Sequence, residues 1–137
     1  MPMNACSSTE NFGEHVMIDG YGGDPERLND KDLVMLSLVE LPHQLGMKRL
    51  SDPLVLEAQS NNAKDPGGWS GIVIIAESHI SVHTFPKRKF VSIDVYTCMN
   101  GLNRDFIKNY FREIFKLEDI EENFVRRGTR YPMHNLC

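Results

Sequence analysis

Two β-rich runs set almost end to end constrain this chain more than any other feature. Residues 69–85 and 89–98 are dense in Val, Ile, Thr and aromatic residues, and only Pro86 and a basic turn divide them. Runs of this kind bounded by a proline turn read as strands of one sheet. In the second run, alternation puts Val91, Ile93, Val95 and Thr97 on one face, leaving Phe90, Ser92, Asp94, Tyr96 and Cys98 on the other. A sheet with one apolar face requires a covering layer, and the remaining sequence supplies it. Val34, Leu38, Leu41 and Leu45 recur at helical spacing behind a cap at Asn29 or Asp30, with a kink expected at Pro42 and a stop at Gly46. A second helix, capped by Asn103, carries Ile107, Tyr110, Phe111 and Ile114 as its buried stripe.

Further strands are predicted at 15–21, closed by a Gly22-Gly23-Asp24-Pro25 turn, at 54–58, and at about 123–127. Residues 60–68 read as a loop, and residues 1–11 as a loose polar arm. The resulting order is strand, helix, three strands, helix, strand. It makes a single α+β domain over residues 1–137, an antiparallel sheet with helices on one face. The uncovered face, if apolar, calls for a partner, and a homodimer packed sheet against sheet is the simplest one.

Several function classes are disfavoured. The net charge of −4 comes without a long basic stripe, so no nucleic-acid partner is expected; Lys87-Arg88-Lys89 and Arg126-Arg127 read as solvated ends of strands and loops. The longest apolar runs fall far below the roughly 18 residues of a membrane span, and no secretory signal precedes the domain. Cys6, Cys98 and Cys137 form no CxxC pair and the histidines are scattered, so no metal site is expected and the protein reads as reduced and cytoplasmic. Cys6 and Cys137 read as incidental.

Chemistry concentrates in Glu77-Ser78-His79-Ile80-Ser81-Val82-His83-Thr84-Phe85-Pro86, which sets serines and histidines inside an apolar β region. Taken alone, this fits a half-exposed strand with a polar face. A Ser–His hydrolase is a second reading, although Ser78 lies in no G-x-S-x-G elbow and no obvious third member follows. Periodicity leaves both readings open.

The phrase ESHISVHTFP followed by VSIDVYTC resembles the signature of prokaryotic S-adenosylmethionine decarboxylases. FGEHVMIDGYGGDPERLND and WSGIVIIAESH are similar to that family's opening segment and third strand. The three matches, in order, span about residues 12–101. The resemblance implies an αββα sandwich formed by two protomers, and a small-molecule substrate. It implies a proenzyme of polyamine biosynthesis that cuts itself between Glu77 and Ser78, leaving a pyruvoyl group made from Ser78 as its cofactor. That group condenses with the substrate amine and draws electrons as carbon dioxide leaves. By the same resemblance, His83 removes the Ser78 Cα proton during processing, Ser70 is a second processing serine, and Cys98 returns a proton to the substrate. A lone Cys in a strand is ordinarily a packing residue.

Two departures touch the nucleoside pocket. The family's usual phrase is HTWPE, whereas this chain has His83-Thr84-Phe85-Pro86-Lys87; Lys64 stands where the family has an aromatic residue. A lysine only donates, so Lys87 does not replace a carboxylate that accepts from ribose hydroxyls. Lys64, Phe85 and Lys87 are therefore the substrate-binding candidates. The alternative substrates are L-ornithine and L-arginine, with Asp65, Glu57 or Asp19 facing the distal cation. A non-catalytic homologue is the alternative from another class.

Overall fold

The computed structural model describes residues 11–61 and 66–132. The arm at residues 1–10, the loop residues Lys64 and Asp65, and Cys6 and Cys137 lie outside the described residues. One antiparallel sheet of six strands forms the body: β1 (Gly13–Tyr21), β2 (Leu54–Ala58), β3 (Gly68–Ile75), β4 (Ser78–Phe85), β5 (Phe90–Thr97) and β6 (Asp119–Arg127). Their spatial order is β2-β3-β4-β5-β1-β6. Helix α1 (Pro25–Leu28) is a single turn; α2 (Lys31–Gln44) and α3 (Arg104–Phe115) are the covering helices.

The predicted α+β class holds, and the strands differ in number. The run 69–85 is a hairpin, not one strand, because a continuous strand of that length would far exceed the usual 5–6 residues. Its two-residue turn, Ala76-Glu77, contains no Gly, Pro or Asn to announce it, and Glu77 adopts a left-handed φ of 76°. The last strand also starts earlier than expected, at Asp119, since Ile120 and Phe124 extend its inward alternation toward α3. The turn after β1 tightens into α1, where the Asp24 side chain accepts from the Glu26 backbone and Pro25 takes the first helical position.

Asp30 and Asn103 cap α2 and α3 by accepting from the backbone N–H groups of Leu33 and Phe106. Helix α2 continues past Pro42 to Gln44, so the proline lies in the last turn, and Gly46 follows at φ 74°. In α3 the fully buried residues are Ile107, Phe111 and Phe115; Tyr110 and Ile114 pack at the edge of the core. Between helices and sheet, Val16, Ile18, Val73, Ile80, Val82 and Val91 have no exposed surface. Each contributes roughly 1.5–3 kcal/mol of burial. Gly71 permits the close approach of α2, since a Cβ there would lie 2.8 Å from Leu38 Cδ1.

Among the described residues, no helix covers the other sheet face. Its apolar side chains gather at one side, where Leu54, Leu56, Ile72 and Ile74 are 38% to 58% exposed, with Tyr21 and Val125 exposed on the far strands. Toward the centre the same face carries His79, Ser81, His83, Asp94 and His15, alternating with core residues along β4, β5 and β1.

Candidate active site

The β3–β4 hairpin holds most of the predicted residues, at its two ends. At the turn end, Ile75 pairs with Ser78, and the Ala76 N–H donates to the Lys48 carbonyl at 2.7 Å, fixing the turn against the preceding chain. A left-handed Glu costs roughly 1–2 kcal/mol, so this geometry is held by its surroundings. The Ser78 hydroxyl lies directly against the Glu77 carbonyl oxygen. The hydroxyl thus stands beside the peptide unit that joins residues 77 and 78.

Cys98 comes to the same place through sheet register. Since His79 pairs with Tyr96, continuing the ladder brings Cys98 opposite Glu77. Its Sγ donates to Glu77 Oε1 at 3.3 Å. Partial burial pushes the Cys98 thiol above its ordinary range, and the Glu77 carboxylate adds to the rise. Both effects favour the protonated thiol. The loop beyond Cys98 is tied down by the buried carboxylate of Glu14, which accepts from the N–H groups of Gly101 and Leu102 at 3.0 and 2.9 Å.

At the other end, Ser70 and His83 are directly paired across β3 and β4, and His83 Nδ1 lies 2.9 Å from Ser70 Oγ. They border a shallow groove of about 220 Å³ with Leu54, Leu56, Ile72 and Ser81. Phe85 stacks obliquely on Phe90, 5.5 Å between centroids, and Lys87 is exposed in a single 3₁₀ turn, Pro86–Arg88. Ser78 and His83 do not meet within a protomer. Five residues of strand separate them by about 16 Å at about 3.3 Å per residue, and alternation sends their side chains to opposite faces.

Sequence reasoning overlooked a polar cluster between these ends. Asp94 joins His15 Nε2 at 2.8 Å and Ser81 Oγ at 3.3 Å. The alternation that set Asp94 on the face of Cys98 was the available signal; what pairs with it depends on the β1–β5 register. Asp19 lies level with His83, two strands away, where burial and the charges of Glu121 and Asp94 raise its carboxyl above the usual range. Glu57 is exposed on β2, and neither carboxylate adjoins Ser78. Among the described residues no group of His, Cys, Asp and Glu is arranged to hold a metal ion. No helix among them is long and apolar enough to cross a membrane.

The sequence model of the family described as S-adenosylmethionine decarboxylase matches residues 14–128. A protein of Clostridium kluyveri called S-adenosylmethionine decarboxylase proenzyme is 31% identical over 117 residues, 85% of this chain and 87% of that protein. One of the same name from Thermococcus kodakarensis is 34% identical over 119 residues, 87% of this chain and 78% of that protein. The crystal structure of the adenosylmethionine decarboxylase from Aquifex aeolicus superimposes with a TM-score of 0.73 at 25% identity, covering 87% of this chain and 92% of that one. By sequence and by fold, this chain belongs to the S-adenosylmethionine decarboxylase family.

Proposed function

We propose that this chain is a self-processing decarboxylase of S-adenosylmethionine, working in the cytoplasm in polyamine biosynthesis, and that Ser78 becomes its pyruvoyl group. The observation that carries the reading is the Ser78 hydroxyl lying against the Glu77 carbonyl within a left-handed turn. Attack of Ser78 Oγ on the Glu77 carbonyl carbon breaks the peptide C–N bond and forms an ester, relieving the turn. A base then takes the Ser78 Cα proton, the ester oxygen leaves with the Glu77 carboxylate, and the dehydroalanine left behind takes up water and loses ammonia. The product is a blocked chain beginning at residue 78, with residues 1–77 as the companion chain of a single domain.

The pyruvoyl group supplies a ketone that captures the substrate amine and withdraws electrons while carbon dioxide departs. Cys98 fits the return of a proton to the α-carbon, because its thiol is favoured in the protonated form beside residue 78. His83 fits the base of processing, an imidazole being able to accept a proton near neutral pH. It is oriented by Ser70.

A homodimer resolves the distance between His83 and Ser78. Two open sheet faces packed about a two-fold axis exchange their ends, so that the Ser70–His83 pair of one protomer approaches the hairpin turn of its partner, meeting Cys98 and the Ser78 backbone from the face opposite the Ser78 side chain. The exposed Leu54, Leu56, Ile72 and Ile74 supply apolar area for such packing. The cytoplasm suits a protein whose chemistry requires the free thiol of Cys98. Phe85 and Lys87, with Lys64, are the residues proposed to border the nucleoside. The relatives bear the name of S-adenosylmethionine decarboxylase, and neither L-ornithine, L-arginine nor a non-catalytic role finds support in them.

Intact mass spectrometry tests the reading. Native protein is expected as two chains divided after Glu77, the second lacking a free amino terminus, and Ser78→Ala as one uncut chain. Carbon dioxide release should be fastest with S-adenosylmethionine when it is assayed beside L-ornithine and L-arginine. Cleavage of Ser78→Ala at the same bond refutes the proposed cofactor origin, and faster release from either amino acid refutes the substrate.

A further inference from the structure

The scissile residue has two nucleophiles beside it. The Ser78 hydroxyl lies against the Glu77 carbonyl, and the Cys98 thiol touches the side chain of the same Glu77. A thiolate is a far stronger nucleophile than a serine hydroxyl. If Cys98 attacked first, its sulfur would bond to the Glu77 carbonyl carbon, the C–N bond would break, and the Ser78 nitrogen would take the proton. Water would then hydrolyse the thioester, restoring the thiol and leaving a Glu77 carboxylate. Such a chain is cut at the right bond but begins with an ordinary serine amine, and no pyruvoyl group can follow.

We propose that Glu77 acts as a positioning residue that guards against this side reaction: its carboxylate accepts the Cys98 thiol hydrogen and opposes thiolate formation, leaving Ser78 as the nucleophile that opens the 77–78 bond. The proposal rests on the self-processing reading above. Three features of the fold support it. The left-handed turn pins Glu77 at the tip of the hairpin. The β4–β5 register sets Cys98 opposite it. Glu14 holds the loop that follows Cys98, which limits movement of the strand end that carries the thiol.

Three neighbouring titratable groups make other contacts. His79 and His15 pack against the Tyr96 ring at 5.7 and 5.5 Å, and Arg127 lies 4.4 Å over that ring. Glu77 is the charged side chain in hydrogen-bond contact with the thiol, and the upward displacement of the Cys98 titration, led by burial and then by Glu77, agrees with that contact.

Two measurements decide the matter. The first uses full-length Ser78→Ala with Cys6 and Cys137 changed to Ser, which leaves Cys98 as the single thiol. The rate of alkylation by iodoacetamide against pH reads its titration. Adding Glu77→Gln should lower the midpoint by about half to one pH unit, giving roughly three- to tenfold faster alkylation at pH 7.5. Glu77→Asp, which keeps the charge, should fall between the two. The second measurement weighs the C-terminal fragment of chains that retain Ser78. Glu77→Gln should yield a new population heavier by one ammonia, beginning with a free serine, and this population should vanish when Cys98→Ala is added. An unchanged titration overturns the proposal, as does a fragment beginning with serine that persists without Cys98. If native protein is not cut at all, the self-processing reading fails, and the alkylation profile alone still decides whether Glu77 controls the thiol.

Discussion

The two ends of the β3–β4 hairpin are built by different means. At the turn, a two-residue link forces Glu77 into a left-handed backbone, and a hydroxyl and a thiol crowd around it. At the other end the backbone is a regular ladder, and side chains do the fastening. The Trp69 N–H donates to Thr84 Oγ1 at 3.1 Å, its indole to the Asn29 carbonyl at 3.0 Å, and Ser70 locks His83. The proposed bond breaking falls at the end where the backbone is distorted. The proposed proton abstraction falls at the end where a side chain is held rigid. A strained peptide unit lowers the cost of opening it, whereas a general base needs a fixed direction.

That contrast can be broken most severely at His83. His83→Ala should stop maturation after ester formation, leaving a chain of full mass that hydroxylamine cuts after Glu77. Co-expressing it with Ser78→Ala should restore cutting of the His83→Ala chains, since a Ser78→Ala partner still brings a histidine across the two-fold axis. An uncut His83→Ala chain in such mixed dimers would return both ends to one protomer.

A smaller effect is expected at the turn itself. Cys98→Ala should still mature, because the role proposed for the thiol follows the cut, but turnover should fall by about 10²-fold, as for a lost general acid. Steady-state kinetics on fully processed protein measure it; unchanged kcat would move the proton donor elsewhere. The smallest effect concerns the rim near the ladder end. Lys87→Glu restores an acceptor for sugar hydroxyls, a charge-assisted hydrogen bond of about 1.5 kcal/mol at the low end, and should raise kcat/KM for S-adenosylmethionine by about tenfold. No response would show that Lys87 stands away from the nucleoside.

Much of the fold could be read from period alone. The inward residues of β5, the caps Asp30 and Asn103, and the stripe of α2 follow local rules that the chain obeys. The hairpin turn was illegible because Ala76-Glu77 has none of the residues that tolerate positive φ cheaply; tertiary contacts, such as the Ala76–Lys48 bond, impose it. Among site residues, Ser78, His83 and Cys98 stood out through a known signature, and neither spacing nor composition would have singled them out. What the chain could not disclose was the pairing of Cys98 with Glu77 and of Asp94 with His15, since each depends on strands brought together from distant segments.

The strand order has a consequence for what the proposed cut would leave. A break after Glu77 assigns β1, β2 and β3 to the first piece and β4, β5 and β6 to the second. In the sheet these do not lie side by side: β3 borders β4, and β1 is threaded between β5 and β6. The pieces are interlaced, and neither carries a sheet of its own order. Separating them would require opening three ladders at once, so the nicked molecule should hold together without a covalent link. Folding is different. The precursor assembles this weave as one chain, whereas two denatured pieces would have to find each other in solution, making recovery dependent on concentration. The interlaced order thus favours folding first and cutting second.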